Sequence, residues 1–286
     1  MADANEFPCD LCGETAAVEV PHCREFTNGQ PIHICRGCGF VHVKRRRSAD
    51  DIAATWTEEI FGSGYTAAIP AVTARLTYVA ETVRNEIGLD GKRVCEIGAG
   101  EGSLLDILRG ERCGASVFGI EPSPQNGGLL ATAGIPHFTG TIEDFLATGL
   151  EQGGFDVAAI VWTLENCQDC RGMLAGAREL LADGGHVVVA TGSRLLVPFK
   201  KPLHTYLSTN EADTHSFRFS ANTLQALLTV SGFEVTYVNR FLDHDVLCVI
   251  ARRSDSAAGA WQGDSYLDVY SFFERWYVDS KIYFPA

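Results

Sequence analysis

A glycine-rich turn at residues 94–103, VCEIGAGEGS, has the composition of a site that holds a nucleotide-like ligand. A short apolar stretch leads into Gly98, Gly100 and Gly102, and Glu96 precedes the turn. A dinucleotide fold requires Gly or Ala at the last position of G-x-G-x-x-G/A, but Ser103 stands there. A triphosphate loop requires G-K-[ST], which is absent from this stretch. The turn therefore predicts a nucleotide-like ligand of a different kind.

A second chemical signal is a set of two Cys-x2-Cys pairs, CDLCG and CRGCG, near the start of the chain. The four thiols belong to Cys9, Cys12, Cys35 and Cys38. Four soft sulfur ligands suit a tetrahedral zinc ion, and a site with four protein ligands is structural rather than catalytic. A disulfide or redox pair and unpaired thiols are the alternatives. A lone further pair, Cys167 and Cys170, is interpreted mainly as a loop that opens a helix.

Strand and helix patterns alternate from residue 92 onward, and these elements must position the glycine turn. We predict strands near 93–97, 115–120, 136–139, 155–161, 186–191, 233–239 and 245–251. We predict helices near 102–110, 124–133, 142–148, 170–182 and 221–231. Such alternation favours an α/β fold with a doubly wound, mostly parallel, seven-stranded Rossmann-like sheet. A short connection around residues 243–245 predicts that the final strand is antiparallel to its neighbour.

Helical patterns also flank this sheet, and they divide the chain into segments. SADDIAATWTEEIF, residues 48–61, opens with a Ser cap, and AVTARLTYVAETVRNEIGL, residues 71–89, follows it. We expect a zinc module at 1–47, a helical linker or lid at 48–90 and a ligand-binding domain at 91–252. Residues 253–286 are expected to form a linker and an amphipathic helix. The apolar stripe of that helix comprises Tyr266, Val269, Tyr270, Phe273, Trp276 and Tyr277. The stripe predicts packing on its own domain, with a homodimer contact or a lid as alternatives.

The spacing E-x-G-x-G-x-G at residues 96–102 resembles motif I of class I S-adenosylmethionine (SAM) methyltransferases. Three later segments resemble the same family in the same order: VFGIEPS (117–123), FTGTIEDF (138–145) and FDVAAIVWTLENCQD (155–169). SAM has an ammonium, a carboxylate and a sulfonium but no phosphate, so the carboxylate of Glu96 can meet the ammonium. The resemblance implies that Glu121 accepts hydrogen bonds from the ribose. It implies the cofactor-binding residues Tyr65, Glu96, Gly98, Ala99, Gly100, Gly102, Glu121, Pro122, Thr141, Ile142, Glu143, Trp162 and Thr163.

A four-cysteine module ahead of this fold resembles two groups of methyltransferases, one acting on nucleotide-linked sugars and one on ribosomal RNA. The net charge is −13, and the first 47 residues carry equal numbers of acidic and basic side chains. Residues 48–286 are therefore strongly acidic, which argues against general nucleic-acid binding. We expect in-line methyl transfer to a sugar, nucleotide-linked or glycan-related, with carbon and oxygen acceptors both open. A small natural product as acceptor and a SAM-binding scaffold without turnover are the alternatives.

The long connection at residues 192–219 is rich in aromatic and basic residues and begins at the expected ligand-binding edge of the sheet. We predict a general base among His204, Tyr206 and His215. We predict substrate contacts by Arg194, Lys200, Lys201 and Arg218. A basic run at residues 44–47 is interpreted as a solvated linker, with attraction of a phosphorylated substrate as the alternative.

Hydropathy along the chain gives an expectation about location. No stretch approaches 18 consecutive apolar residues, and MADANEFPCD lacks the basic and apolar regions of a signal peptide. We therefore expect a cytoplasmic protein that does not enter a membrane.

Overall fold

The computed structural model describes residues 6–60, 63–150, 153–198, 201–207, 215–240, 246–256 and 259–283. For residues 55–60, 63–69 and 283, it describes the course of the helix but not the side chains. None of the helices in these ranges combines the length and the hydropathy that crossing a bilayer requires.

A seven-stranded sheet forms the centre of the molecule, as predicted. Its strands are β4 (Arg93–Ile97), β5 (Ser116–Glu121), β6 (His137–Thr139), β7 (Phe155–Val161), β8 (Leu181–Thr191), β10 (Phe233–Val238) and β11 (Leu247–Arg253). Their order is β10-β11-β8-β7-β4-β5-β6. Strand β11 pairs antiparallel with both β10 and β8, which confirms the predicted direction of the last strand, and the other described pairings in this sheet are parallel. The chain moves outward from β4 to β6 and returns to β7, so the switch point that favours ligand binding lies between β4 and β7.

Helices cover this sheet and begin at side-chain caps that the sequence supplies. They are α4 (Ser103–Arg109), α5 (Pro124–Thr132), α6 (Ile142–Ala147), α7 (Cys170–Leu180) and α9 (Ala221–Val230). Ser123, Thr141, Asp169 and Ser220 accept backbone hydrogen bonds at the starts of α5, α6, α7 and α9. Cys170 begins α7, so the prediction that this second cysteine pair opens a helix is confirmed.

Two further helices, α2 (Ala49–Ile60) and α3 (Ser63–Ile87), precede the sheet. Ser48 accepts a hydrogen bond from the backbone of Asp51 at the start of α2, as the Ser cap predicted. The apolar face of α3 includes Val79, Ala80 and Val83, which are buried against the sheet. These contacts fix α3 beside the glycine turn.

The N-terminal cysteine module is joined to the rest of the chain by a four-stranded sheet in the order β1-β2-β3-β9. The strands are β1 (Ala17–Glu19), β2 (His33–Cys35), β3 (Val41–His42) and β9 (Phe217–Arg218), and the short helix α1 (Cys23–Phe26) lies between β1 and β2. Strand β9 comes from the connection that was predicted to bind substrate. Part of that connection is therefore structural, and the module shares its core with the main domain.

The C-terminal helix α10 (Tyr266–Tyr283) packs on the cysteine module and on the short helix α8 (Leu203–Leu207). Val269, Phe273 and Trp276 are buried there with Ile34 and Val41. This result agrees with the predicted packing of the stripe on its own chain. Tyr270 of the stripe is 37% exposed, and the homodimer contact stays an alternative prediction for this helix.

Candidate functional site

A cavity of about 1140 Å³ opens at the carboxyl ends of β4, β5 and β7. Its floor is the glycine turn, and α2 and α3 contribute part of its wall. Pockets for small ligands usually measure about 300–1,000 Å³. The cavity therefore has room for a cofactor of the size of SAM together with a second small molecule.

The three glycines of the turn have different structural roles. Gly98 has φ +74°, and a Cβ there would lie 2.5 Å from the side chain of Thr163. Gly102 has φ +87°, and a Cβ there would lie 2.6 Å from Leu130. Gly100 has φ +55° but no atom near its missing Cβ. Gly98 and Gly102 thus permit close packing, whereas Gly100 exposes bare backbone to the cavity.

The carboxylate of Glu121 is held by backbone amides at the end of β5. The amide of Gly100 donates to Oε2 at 2.7 Å, and the amide of Ser123 donates to Oε1 at 2.9 Å. Glu121 is buried but lines the cavity. Two fixed amides leave further lone pairs on this carboxylate, which suits the acceptance of hydrogen bonds from vicinal hydroxyls.

Glu96, near the end of β4, is a buried carboxyl group in the lining of the cavity. Glu96 is 3% exposed, and its Oε2 atom has no hydrogen-bond partner among the described residues. Burial, with a smaller contribution from the charge of Glu121, raises the pKa of the Glu96 carboxyl well above its ordinary value. An unpartnered carboxyl oxygen in a ligand cavity fits the ammonium group of SAM.

The structure brings most of the predicted cofactor residues together. Those lining the cavity are Glu96, Gly98, Ala99, Gly100, Glu121, Pro122, Thr141, Ile142, Glu143, Trp162 and Thr163. Gly102 instead packs against α5, and the side chain of Tyr65 lies outside the described residues. Sequence reasoning missed the lining residues on α2 and α3 and on the loop after β7. These are Ala49, Ile52, Ala53, Val72, Arg75, Leu76, Asn166, Cys167, Gln168 and Asp169. In the sequence, the helical spacing of apolar residues in α2 and α3 is the signal that could have identified the members of this set on those two helices.

The residues predicted as a general base do not line the cavity. His204 is exposed on α8, 6.2 Å from the ring of Phe26. Tyr206 is buried with its ring 4.6 Å from Trp276, and burial raises the pKa of its hydroxyl. His215 contacts the hydroxyl of Ser193 through Nδ1. The geometry gives no support to these three as bases, because α8 and β9 direct this connection toward the cysteine module.

The described cations among those predicted to bind substrate also lie outside the cavity lining. Arg194 donates to the carbonyl of Val246, and Arg218 donates to the carbonyl of His215; both arginines are buried. Lys201 is exposed with its ammonium 5.6 Å from the ring of Tyr206, and Lys200 lies outside the described residues. In the described part of the lining, Arg75 is the one basic residue. The described residues among the predicted substrate-binding cations therefore do not contribute to the lining of this cavity.

The four predicted zinc ligands converge on one point. Cys9 Sγ lies 3.5 Å from Cys38 Sγ, and Cys12 Sγ lies 3.4 Å from Cys35 Sγ. All four sulfurs lie within 4.8 Å of one another. A zinc–sulfur bond of about 2.3 Å gives tetrahedral sulfur–sulfur distances of about 3.8 Å. The donor set therefore fits a four-coordinate zinc ion.

The Gly98–Thr163 contact gives a test of the turn. We expect Gly98→Ala to lower the free energy of unfolding by about 2–3 kcal/mol, because the new methyl adds a clash to an unfavourable φ. Thr163→Ala in the same chain removes both clashing side-chain atoms and should restore about 1 kcal/mol. Gly128→Ala is the control, since a Cβ there meets open space on α5. Denaturant unfolding measures these changes. If the free energy of unfolding falls equally in the single and the double variant, a clash between the new methyl and Thr163 is excluded.

Comparisons with known proteins agree with this geometry. A family model described as a methyltransferase domain matches residues 72–238. The chain is 27% identical over 180 residues to a ubiquinone biosynthesis O-methyltransferase of Rhizobium leguminosarum, covering 57% of this chain and 70% of that protein. It is 30% identical over 148 residues to a protein of the same name from Psychrobacter cryohalolentis, covering 49% of this chain and 51% of that protein.

A solved structure provides a comparison of the fold alone. The 1,6-didemethyltoxoflavin-N1-methyltransferase of Burkholderia thailandensis superposes with a TM-score of 0.55 at 16% identity. The superposition covers 76% of this chain and 95% of that one.

Proposed function

This chain belongs to the methyltransferase-domain family and is a SAM-dependent methyltransferase, and from that premise we propose that it methylates a hydroxyl of a small, uncharged and largely apolar molecule. The acceptor would share the cavity with SAM. SAM would supply an electrophilic methyl group on a sulfonium, and the enzyme must align the acceptor oxygen with that methyl. As the oxygen–carbon bond forms, the carbon–sulfur bond would break, S-adenosylhomocysteine would leave, and the hydroxyl proton would be released to water. Positioning of two bound reactants supplies much of the rate in such a transfer.

The cofactor half of the proposal rests on the strand ends. Glu96 would pair with the ammonium of SAM, since its Oε2 is buried without a partner among the described residues. Glu121 would accept hydrogen bonds from the ribose hydroxyls, because the amides of Gly100 and Ser123 already fix its orientation. The open space at Gly100 would admit the methionine portion beside the backbone.

The acceptor half rests on one observation, the chemistry of the lining. Its acidic members are Glu96, Glu101, Glu121, Glu143 and Asp169, against the single basic residue Arg75 in the described part. Such a field attracts the cationic SAM and repels a nucleotide diphosphate. The apolar members include Ile52, Ala53, Val72, Leu76, Trp162 and Met173. An apolar wall suits an uncharged acceptor and excludes water from the reacting groups.

This chemistry favours the small-molecule alternative over a sugar as acceptor. The two relatives named above are O-methyltransferases of ubiquinone biosynthesis, which supports an oxygen acceptor. The match spans about half of the length of most of those relatives, so their substrate is no more than a guide. We further propose that the four cysteines hold a structural zinc ion, since they leave it no open position.

Methyl transfer from SAM with a trideuterated methyl group tests this function. The metal-loaded protein would be incubated with two matched panels, one of hydroxylated aromatic compounds and one of nucleotide sugars, and the products read by mass spectrometry. We expect labelled product from the aromatic panel and none from the nucleotide sugars. Labelled nucleotide sugar alone would overturn the proposed acceptor. SAM binding without product from any panel would favour a scaffold without turnover.

A further inference from the structure

The basic run at residues 44–47 contains a side chain that is not solvated, contrary to its interpretation as a linker. The side chain of Arg46 is 0% exposed. Its guanidinium lies between two aromatic rings, 4.6 Å from the ring centre of Phe7 and 4.4 Å from that of Phe217. An arginine enclosed in this way must have its charge and its donors satisfied by the protein, because no water can replace them.

The partners of Arg46 come from separate parts of the chain. Nη1 and Nη2 donate to the two carboxylate oxygens of Asp10 at 2.8 and 2.5 Å. Nη1 also donates to the carbonyl of Gln168 at 2.8 Å, and Nε donates to the carbonyl of Val43 at 2.8 Å. The side chain of Asp10 is only 8% exposed. This is a bidentate, planar arrangement that lysine cannot reproduce.

These partners connect two sites that are far apart in sequence. Asp10 lies inside the first cysteine pair, between Cys9 and Cys12. Gln168 lies on the loop after β7 and lines the cavity, together with Asn166 and Asp169. Arg46 itself is not part of the cavity lining in the described residues. One guanidinium therefore joins the first cysteine pair to the cavity wall formed by residues 166–169.

We propose that Arg46 is a positioning residue through which the occupied cysteine site fixes this wall of the cavity. Zinc binding would set the backbone of the first pair and hence the position of Asp10. Asp10 would orient the guanidinium, which in turn would hold the carbonyl of Gln168. The inference builds on the proposed zinc ion but needs no knowledge of the acceptor.

Hydrogen–deuterium exchange of the metal-loaded full chain tests the proposal without an activity assay. We expect Arg46→Lys to keep one zinc per chain and to speed amide exchange in residues 163–170 about tenfold, since the carbonyl of Gln168 loses its fixed donor. Arg45→Lys is the matched control. Arg45 is adjacent in sequence, its side chain is 70% exposed, and it forms a surface ion pair with Glu6 in which Nε lies 3.5 Å from Oε1. The control should exchange like the native protein.

Metal removal completes the test. In the native protein a chelator should speed exchange in residues 163–170 more than in the strands of the main sheet, whereas in Arg46→Lys it should add little there beyond the general increase that loss of zinc causes, because the connection is already broken. Unchanged exchange in Arg46→Lys, or an equal effect of chelation in both proteins, would overturn the proposal. If Arg46→Lys does not fold, Asp10→Asn interrupts the same connection from the other side and must give the same local change. A failure of SAM-dependent turnover would leave this comparison intact, so the two proposals are separable.

Discussion

Replacing Glu96 with glutamine is expected to weaken SAM binding by about ten- to a hundredfold, the range of a hydrogen bond to a charged group. The glutamine side chain would keep the shape of the floor but lose the charge that meets the ammonium. Isothermal calorimetry with SAM measures the change directly. Glu179→Gln is the control, because Glu179 lies on α7 and is not among the residues that line the cavity. Equal affinities of the native and Glu96→Gln proteins would show that the ammonium lies elsewhere.

The same substitution should have the opposite effect on the ligand-free protein. Burial raises the pKa of Glu96 in the folded state above its value in the unfolded chain. The neutral carboxyl is compatible with burial, so Glu96 does not reduce the free energy of unfolding at acid pH. As pH rises from about 4.3, the ordinary pKa of glutamate, toward the raised pKa, the free energy of unfolding falls. Glu96→Gln should match the native stability below pH 4 and exceed it near neutrality. Denaturant unfolding across this range gives the comparison, and a native protein that gains on the variant as pH rises would contradict the sign.

Removal of the proposed zinc site is the second change with a large expected effect. We expect Cys35→Ser to abolish stoichiometric zinc and to lower the free energy of unfolding by more than about 3 kcal/mol, since zinc binding contributes directly to folding. The effect should reach the main domain, because Cys9, Cys35 and Cys38 are buried in the same apolar cluster as Phe217 and Phe219. Thermal unfolding with metal analysis by mass spectrometry measures both outcomes.

A second buried cysteine provides the control for that experiment. Cys113 is 4% exposed and lies outside the four-sulfur cluster. Cys113→Ser should cost only about 1–2 kcal/mol, the effect of a buried hydroxyl, and should leave the zinc content unchanged. A native protein that holds no metal and unfolds identically with and without a chelator would contradict the structural role of the cysteines.

The main sheet could be predicted from the sequence because its signals are local. The buried apolar runs before Gly98 and Trp162 identify β4 and β7, and the Thr141 and Ser220 caps fix the starts of α6 and α9. Glu96 and Glu121 could be predicted as site residues because they lie at the carboxyl ends of two strands, where a parallel sheet binds its ligand. The presence of Glu96 and Glu121 in one cavity could therefore be predicted from the sequence.

The contacts around the cavity could not all be predicted from the sequence, because several of them depend on tertiary structure. Phe217 and Arg218 read as part of a long loop, yet β9 is a two-residue strand that exists only because β3 pairs with it. Arg46 reads as one charge in a basic run, and its burial depends on Asp10, 36 residues earlier. Nothing local marks Arg75 of α3 as a lining residue. Charge and aromatic content predicted the base and the cations on a connection whose described residues do not line this cavity.

Binding of SAM to the native, metal-loaded protein is the most direct test of the proposed cofactor site at the glycine turn. Calorimetric titration should show one site per chain, with competition by S-adenosylhomocysteine and an affinity that falls in Glu96→Gln but not in Glu179→Gln. That result would place the cofactor at the glycine turn beside the buried carboxylate. No binding at saturating SAM, or binding that is indifferent to Glu96, would contradict the assignment of this cavity.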